Sequence, residues 1–122
     1  LAEKVYEDKI MAAKVKVDPG VCGFEAEIVA STEDGMTVDL EIESDCQTIK
    51  ELAQLLKDKT PLDAYQELSP ESESEILALC RPLLVQKGCC EACIVPQATC
   101  KAMYVAAGLA LPKDVSMQIS KD

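Results

Sequence analysis

Hydrophobic and polar residues alternate strictly in three early stretches, and the spacing then turns helical for most of the remaining chain. Val15 and Val17 alternate with Lys14, Lys16 and Asp18. Phe24, Ala26, Ile28 and Ala30 alternate with Glu25 and Glu27, and Met36, Val38, Leu40 and Ile42 alternate with Thr37, Asp39, Glu41 and Glu43. A period of two puts every second side chain on one face. The pattern therefore predicts antiparallel strands near 13–18, 24–31 and 36–43, each with one buried and one polar, largely acidic face. Asp34-Gly35 supplies the turn of the second hairpin.

From Ser44 the apolar positions recur at helical spacing. Ser44 and Gln47 have the spacing of a capping box, and Ile49, Leu52, Ala53 and Leu56 form one stripe. Thr60-Pro61 and Ser69-Pro70 each read as an N-cap followed by proline at the first helical position. The second would open a helix with Ile76, Cys80, Leu83 and Leu84 on one face, and Pro82 should stop or kink it. The run Glu71-Ser72-Glu73-Ser74-Glu75 reads as the solvated first turn of that helix, where the dipole favours acid. A further helix is expected from near Pro96 to Gly108, and Val115, Met117 and Ile119 alternate as a last, fourth strand. Residues 1–10 place Ala2, Val5, Tyr6 and Ile10 near helical spacing, as a short helix or an extension ahead of one domain over 11–122. The expected fold class is α+β: a two-layer, three-strand antiparallel meander, with that C-terminal strand as a fourth, covered on one face by helices.

A chain of 122 residues suits one hydrophobic core, and with one Phe, three Tyr and no Trp that core must be aliphatic. The net charge of −10 argues against nucleic acid as a partner, because nucleic-acid binding needs a basic footprint. No apolar stretch has the length of a membrane span and no signal-peptide core is visible, so no membrane partner is expected. Free thiols suit a reducing cytoplasm, which is the expected location.

Chemistry enters with seven cysteines and no histidine. Cys22 sits in Pro19-Gly20-Val21-Cys22-Gly23, a loop whose glycines permit close backbone approach or positive φ. Cys46 opens a helix, where free N–H groups and the helix dipole lower a thiol's pKa. In an up-down-up sheet the ends of strands one and three share an edge, so Cys22 and Cys46 belong to the same end. Outer strands of such a meander are roughly 9–10 Å apart, a gap that a five-residue loop can close. Cys89, Cys90 and Cys93 crowd the loop before the last helix, with Cys90-Glu91-Ala92-Cys93 giving one C-x2-C, and that helix must pack over the same sheet. Cys80 and Cys100 fall in apolar stripes and read as core, as do Met103 and Met117.

The placement of Cys22, Cys46 and Cys93 over roughly residues 13–108 resembles NifU/IscU-type iron–sulfur scaffolds. These carry one cysteine in the first hairpin loop, one at the helix start after strand three and one before a late helix. Cys93-Ile94-Val95-Pro96 is similar to the third-cysteine segment of some scaffolds, and Ser44-Asp45-Cys46 to the cysteine-helix start of TSCPD-type domains. Phe24 stands where scaffolds typically carry Asp, and Ala92 where many carry His. The strand expected at 115–119 is also unlike the scaffold ending. Pro19–Phe24, Glu43-Ser44-Asp45-Cys46 and 108–115 also resemble an uncharacterised family of small cysteine-rich proteins from anaerobic prokaryotes, which implies no established activity.

The expected function is binding of a metal or iron–sulfur cluster through Cys22, Cys46 and Cys93, with Cys90, Cys89, Asp45 or an exogenous group as fourth ligand. All-thiolate sites suit Zn or iron–sulfur clusters, and a donor or acceptor protein for that metal or cluster is the expected partner. Two alternatives stand beside it. One is persulfide sulfur transfer, for which only Asp45, Glu91 or Lys87 could assist protons. The other is a non-catalytic adaptor with reduced cysteines.

Overall fold

The computed structural model describes residues 11–90 and 92–121; the stretch 1–10 with its helical spacing, and Glu91, lie outside the described residues. β1 (Met11–Val17), β2 (Ala26–Thr32) and β3 (Thr37–Ser44) form the expected antiparallel meander. The fourth strand is not at 115–119. It is a two-residue β4 (Leu62–Asp63) pairing antiparallel with the outer edge of β3. Residues 111–121 take neither helix nor strand.

Register carries the apolar rows across the sheet. Ile28 lies opposite both Val15 and Ile42, and Ala30 opposite both Ala13 and Leu40. Ala26, Ile28, Ala30, Val38, Leu40 and Ile42 are all buried, as the alternation requires. Phe24 is not: it is 47 % exposed, because β2 enters the sheet only at Ala26, where Val17 and Ser44 give it partners.

Four helices follow: α1 (Gln47–Lys59), α2 (Ala64–Leu68), α3 (Glu75–Gln86) and α4 (Val95–Ala106). α1 packs on β3, α4 crosses β1, β2 and β3, α3 lies against α1 and α4, and α2 against α4. With so few aromatics, packing relies on aliphatic and small side chains: Ile49, Leu52 and Leu56 from α1, Ile76 and Leu83 from α3, and Ala102, Met103 and Ala106 from α4. No helix among the described residues is long and apolar enough to cross a membrane.

Three helix boundaries differ from the sequence reading, two of them because a better cap stands nearby. Cys46, not Ser44, is the N-cap of α1. Thr60 ends α1 rather than opening a helix, its N–H donating to the Leu56 carbonyl, and the next helix starts after Asp63. The Asp63 carboxylate there accepts from the N–H groups of Tyr65 (2.9 Å) and Gln66 (3.2 Å). Likewise α3 begins at Glu75 with Ser74 as cap, so most of the acidic run precedes the helix. Glu67 fixes that start: its carboxylate accepts from Ser74 Oγ (3.0 Å) and from the N–H groups of Glu75 (2.8 Å) and Ile76 (2.9 Å). Pro82 lies inside α3 without ending it. The missing N–H would have met Ala78, and both residues are exposed, where water can serve the carbonyl instead.

Candidate thiolate site

At the sheet end formed by Val17, Ala26 and Ser44, one hydroxyl joins two segments. Ser44 Oγ donates to the Glu25 carbonyl (2.8 Å) and accepts from the Cys46 N–H (3.1 Å), tying the entry of β2 to the start of α1. Cys46 is half-buried, its carbonyl accepts the first helical bond from Lys50 (2.9 Å), and its side chain makes no cap bond. No carboxylate stands in the first turn of α1.

Cys22 reaches the same end on a tight turn in which the Gly23 N–H donates to the Gly20 carbonyl (3.0 Å). The Asp18 carboxylate holds the Gly20 N–H (3.0 Å), and Val21 and Cys22 stand exposed at the tip.

Cys89 is placed by the end of α3. The Cys89 N–H donates to the Leu84 carbonyl (2.8 Å) and the Gly88 N–H to the Val85 carbonyl (3.2 Å). That pairing is a Schellman turn, and it needs the left-handed conformation Gly88 adopts at φ 73°. The turn sets the Cys89 thiol 3.6 Å from Oγ1 of buried Thr48, in the first turn of α1. Lys87 Nζ to Glu51 Oε1 at 3.0 Å holds the same two helices together.

Cys93 ends a short turn, its N–H donating to the Cys90 carbonyl (3.3 Å), and lies half-buried just before α4. Burial pushes its thiol up, the Val95 N–H bonded to it pulls it down, and the neighbouring thiols of Cys22, Cys46 and Cys89 push it up again. Three other thiols, one of them from the same loop, thus act electrostatically on Cys93.

Behind them lie the two cysteines assigned to the core. Cys80 is buried and its thiol is pushed up to about 12, chiefly by burial and then by Cys100 and Cys93. Cys100 is half-buried and pushed up to about 11, by burial and then by Glu67. Both are protonated at neutral pH. The proximity of Cys80 to Cys93 escapes the sequence, since helical spacing shows which face a residue takes but not which neighbouring element it meets.

Of the sequence candidates, Cys22, Cys46 and Cys89 lie within electrostatic reach of Cys93. Cys90 is exposed and is not among the thiols acting on Cys93, and Asp45 is exposed beside Cys46. Among the described residues, no three Cys, Asp or Glu side chains are drawn up closely enough to hold a metal ion as they stand. Thr48 is the supporting residue that sequence reasoning missed; Ser44, expected as a helix cap, instead ties the entry of β2 to Cys46. At the other end of the sheet a shallow cleft of about 370 Å³ surrounds Asp34. That carboxylate is held at about 2, mainly by the N–H groups of Thr37 and Met36, so it is committed to its own turn.

Residues 13–119 match the family of unknown function DUF6951, and the chain belongs to that family. Neither a curated protein nor a solved structure matches the chain.

Proposed function

We propose that this family member binds a thiophilic metal ion or an iron–sulfur cluster through Cys22, Cys46, Cys89 and Cys93, as a site that loads and releases. What supports this reading is the placement of Cys22 and Cys46 at one end of the sheet, with Cys89 beside Thr48 in the first turn of α1 and all three thiols within electrostatic reach of Cys93. The donor set fits by kind: with no histidine in the chain, a four-thiolate site suits Zn or iron–sulfur chemistry. It fits by environment as well. The Val95 N–H at α4 favours negative sulfur at Cys93, and electrostatic crowding among thiolates is what a cation relieves.

Cys89 is the preferred fourth donor over Cys90 and Asp45, because its backbone is fixed by the Schellman turn and its thiol lies beside Thr48. Thiolates on one Zn lie roughly 3.5–4 Å apart, so binding requires the four to draw together. Cys22 on its turn and Cys93 in the loop before α4 sit on segments suited to movement toward the fixed Cys89. The exposure of Cys22 and Cys89 favours exchange with a donor or acceptor protein over a closed structural site, which agrees with the scaffold resemblance. Persulfide transfer is less favoured, since with no histidine in the chain only Asp45, Glu91 or Lys87 could assist proton transfer.

The test is anaerobic purification followed by metal and acid-labile sulfide analysis. Near-stoichiometric metal that falls away in Cys46→Ser and Cys93→Ser supports the reading. Metal-free protein that also fails to take up Zn or a reconstituted cluster overturns it.

A further inference from the structure

The C-terminal segment is patterned as a strand and has no sheet. Val115, Met117 and Ile119 are 66 %, 71 % and 88 % exposed, although Asp114, Ser116 and Gln118 between them give the alternation of a half-buried strand. Exposed alternating apolar residues of this kind mark a strand awaiting a partner rather than a solvated tail. The segment also lies within the stretch matched to the family, so it is part of the shared domain and not an appended linker.

A complementary edge exists in the same chain. β1 closes one side of the sheet, and among the described residues no strand pairs with its outer side. On its core-facing row, Ala13 and Val17 are buried but Val15 between them is only half-covered. The opposite row carries Lys14 and Lys16. If Val115, Met117 and Ile119 continue the Ala13–Val15–Val17 row, Asp114, Ser116 and Gln118 fall on the lysine side, with Asp114 able to meet a lysine. β1 has seven residues, and residues 113–119 make a strand of the same length.

We infer that the chain forms a two-fold dimer in which each C-terminal segment adds as an edge strand to β1 of the other copy. Exchange between two copies is favoured over pairing within one. Here the segment leaves α4 beside the start of β1, where Ala107 and Met11 both approach Gly35, yet it stands away from its own sheet with every residue from 111 to 121 exposed. The reciprocal arrangement satisfies both open edges and closes, leaving no free strand for further growth.

Sedimentation of the full chain across the micromolar range, with reductant present to exclude disulfide dimers, tests this. Wild type should sediment at twice the chain mass. The triple variant Val115→Ser, Met117→Ser, Ile119→Ser should sediment as a monomer with an unchanged far-ultraviolet spectrum. Amide exchange on the wild type gives a second reading that needs no variant: residues 113–119 and β1 should gain protection together as the dimer fills. A monomeric wild type, a dimer unaffected by the triple substitution, or a monomer whose tail is already protected (pairing within one copy) would each overturn the inference.

Discussion

Glu67 is the buried carboxylate on which the start of α3 depends, and replacing it tests how the helix layer is held. It is 6 % exposed and accepts three hydrogen bonds, from Ser74 Oγ, Glu75 N–H and Ile76 N–H. Ser74 Oγ in turn accepts from the Leu77 N–H (3.2 Å), so one carboxylate orients the cap as well as serving two free helix donors. Hydrogen bonds to a charged group contribute about 1.5–3 kcal/mol each, and a buried donor left without an acceptor costs about 1–3 kcal/mol. The Glu75 N–H is only part-buried and can turn to water, whereas the Ile76 N–H and the Ser74 hydroxyl cannot. Two effective losses give about 3–5 kcal/mol for Glu67→Ala, a large part of the total stability of about 5–15 kcal/mol usual for a domain. Glu67→Gln keeps the shape and one acceptor oxygen but turns an amide NH₂ toward a donor, so about 1–3 kcal/mol is expected. Urea unfolding followed by circular dichroism under reductant measures both. Equal costs for the two variants, or changes within about 0.5 kcal/mol of wild type, would refute the assignment of the carboxylate as a shared cap.

Three further outcomes follow from the same geometry. Cys80 and Cys100 should resist alkylation in the native protein at pH 8, while exposed Cys22, Cys89 and Cys90 react; mass spectrometry of modified peptides reads this. Because the folded state keeps the Cys80 proton up to about 12 while the unfolded chain loses it near 9.0, the stabilisation is full below pH 9 and declines as pH rises toward 12. The decline attributable to this thiol is about 1.4 kcal/mol per pH unit, and Cys80→Ala should show a shallower alkaline slope in urea unfolding. Ser44→Ala should cost about 1–2 kcal/mol by removing both the Glu25 and the Cys46 bonds, and should speed alkylation of Cys46 as the start of α1 loosens.

Alternation alone makes the meander legible, because each strand has one buried face and the side-chain period is two. Phe24 marks the limit of that signal: it is in phase with Ala26 but lies beyond the residues with strand partners. Val115, Met117 and Ile119 mark it again, since a pattern can announce a strand without its pairing within one chain. Helix starts were misread where proline outweighed a nearby carboxylate or hydroxyl. Asp63 and Ser74 satisfy backbone donors that Pro61 and Pro70 only accommodate. For the site, the up-down-up order of strands suffices to put Cys22 and Cys46 at one end. Choosing Cys89 over Cys90 needs the Schellman turn and Thr48, which belong to tertiary packing.

The central claim is one site made by four particular thiols, and a cobalt(II) titration of the anaerobic, reduced protein tests it most directly. Thiolate-to-cobalt charge-transfer absorption scales with the number of sulfur ligands and reports tetrahedral coordination without any assumption about the native metal. Wild type and Cys90→Ser should both saturate at one cobalt per chain with a four-thiolate spectrum. Cys22→Ser, Cys46→Ser, Cys89→Ser and Cys93→Ser should each lose intensity and affinity. Absence of charge-transfer absorption in wild type, or equal loss from Cys90→Ser and Cys93→Ser, would contradict the account.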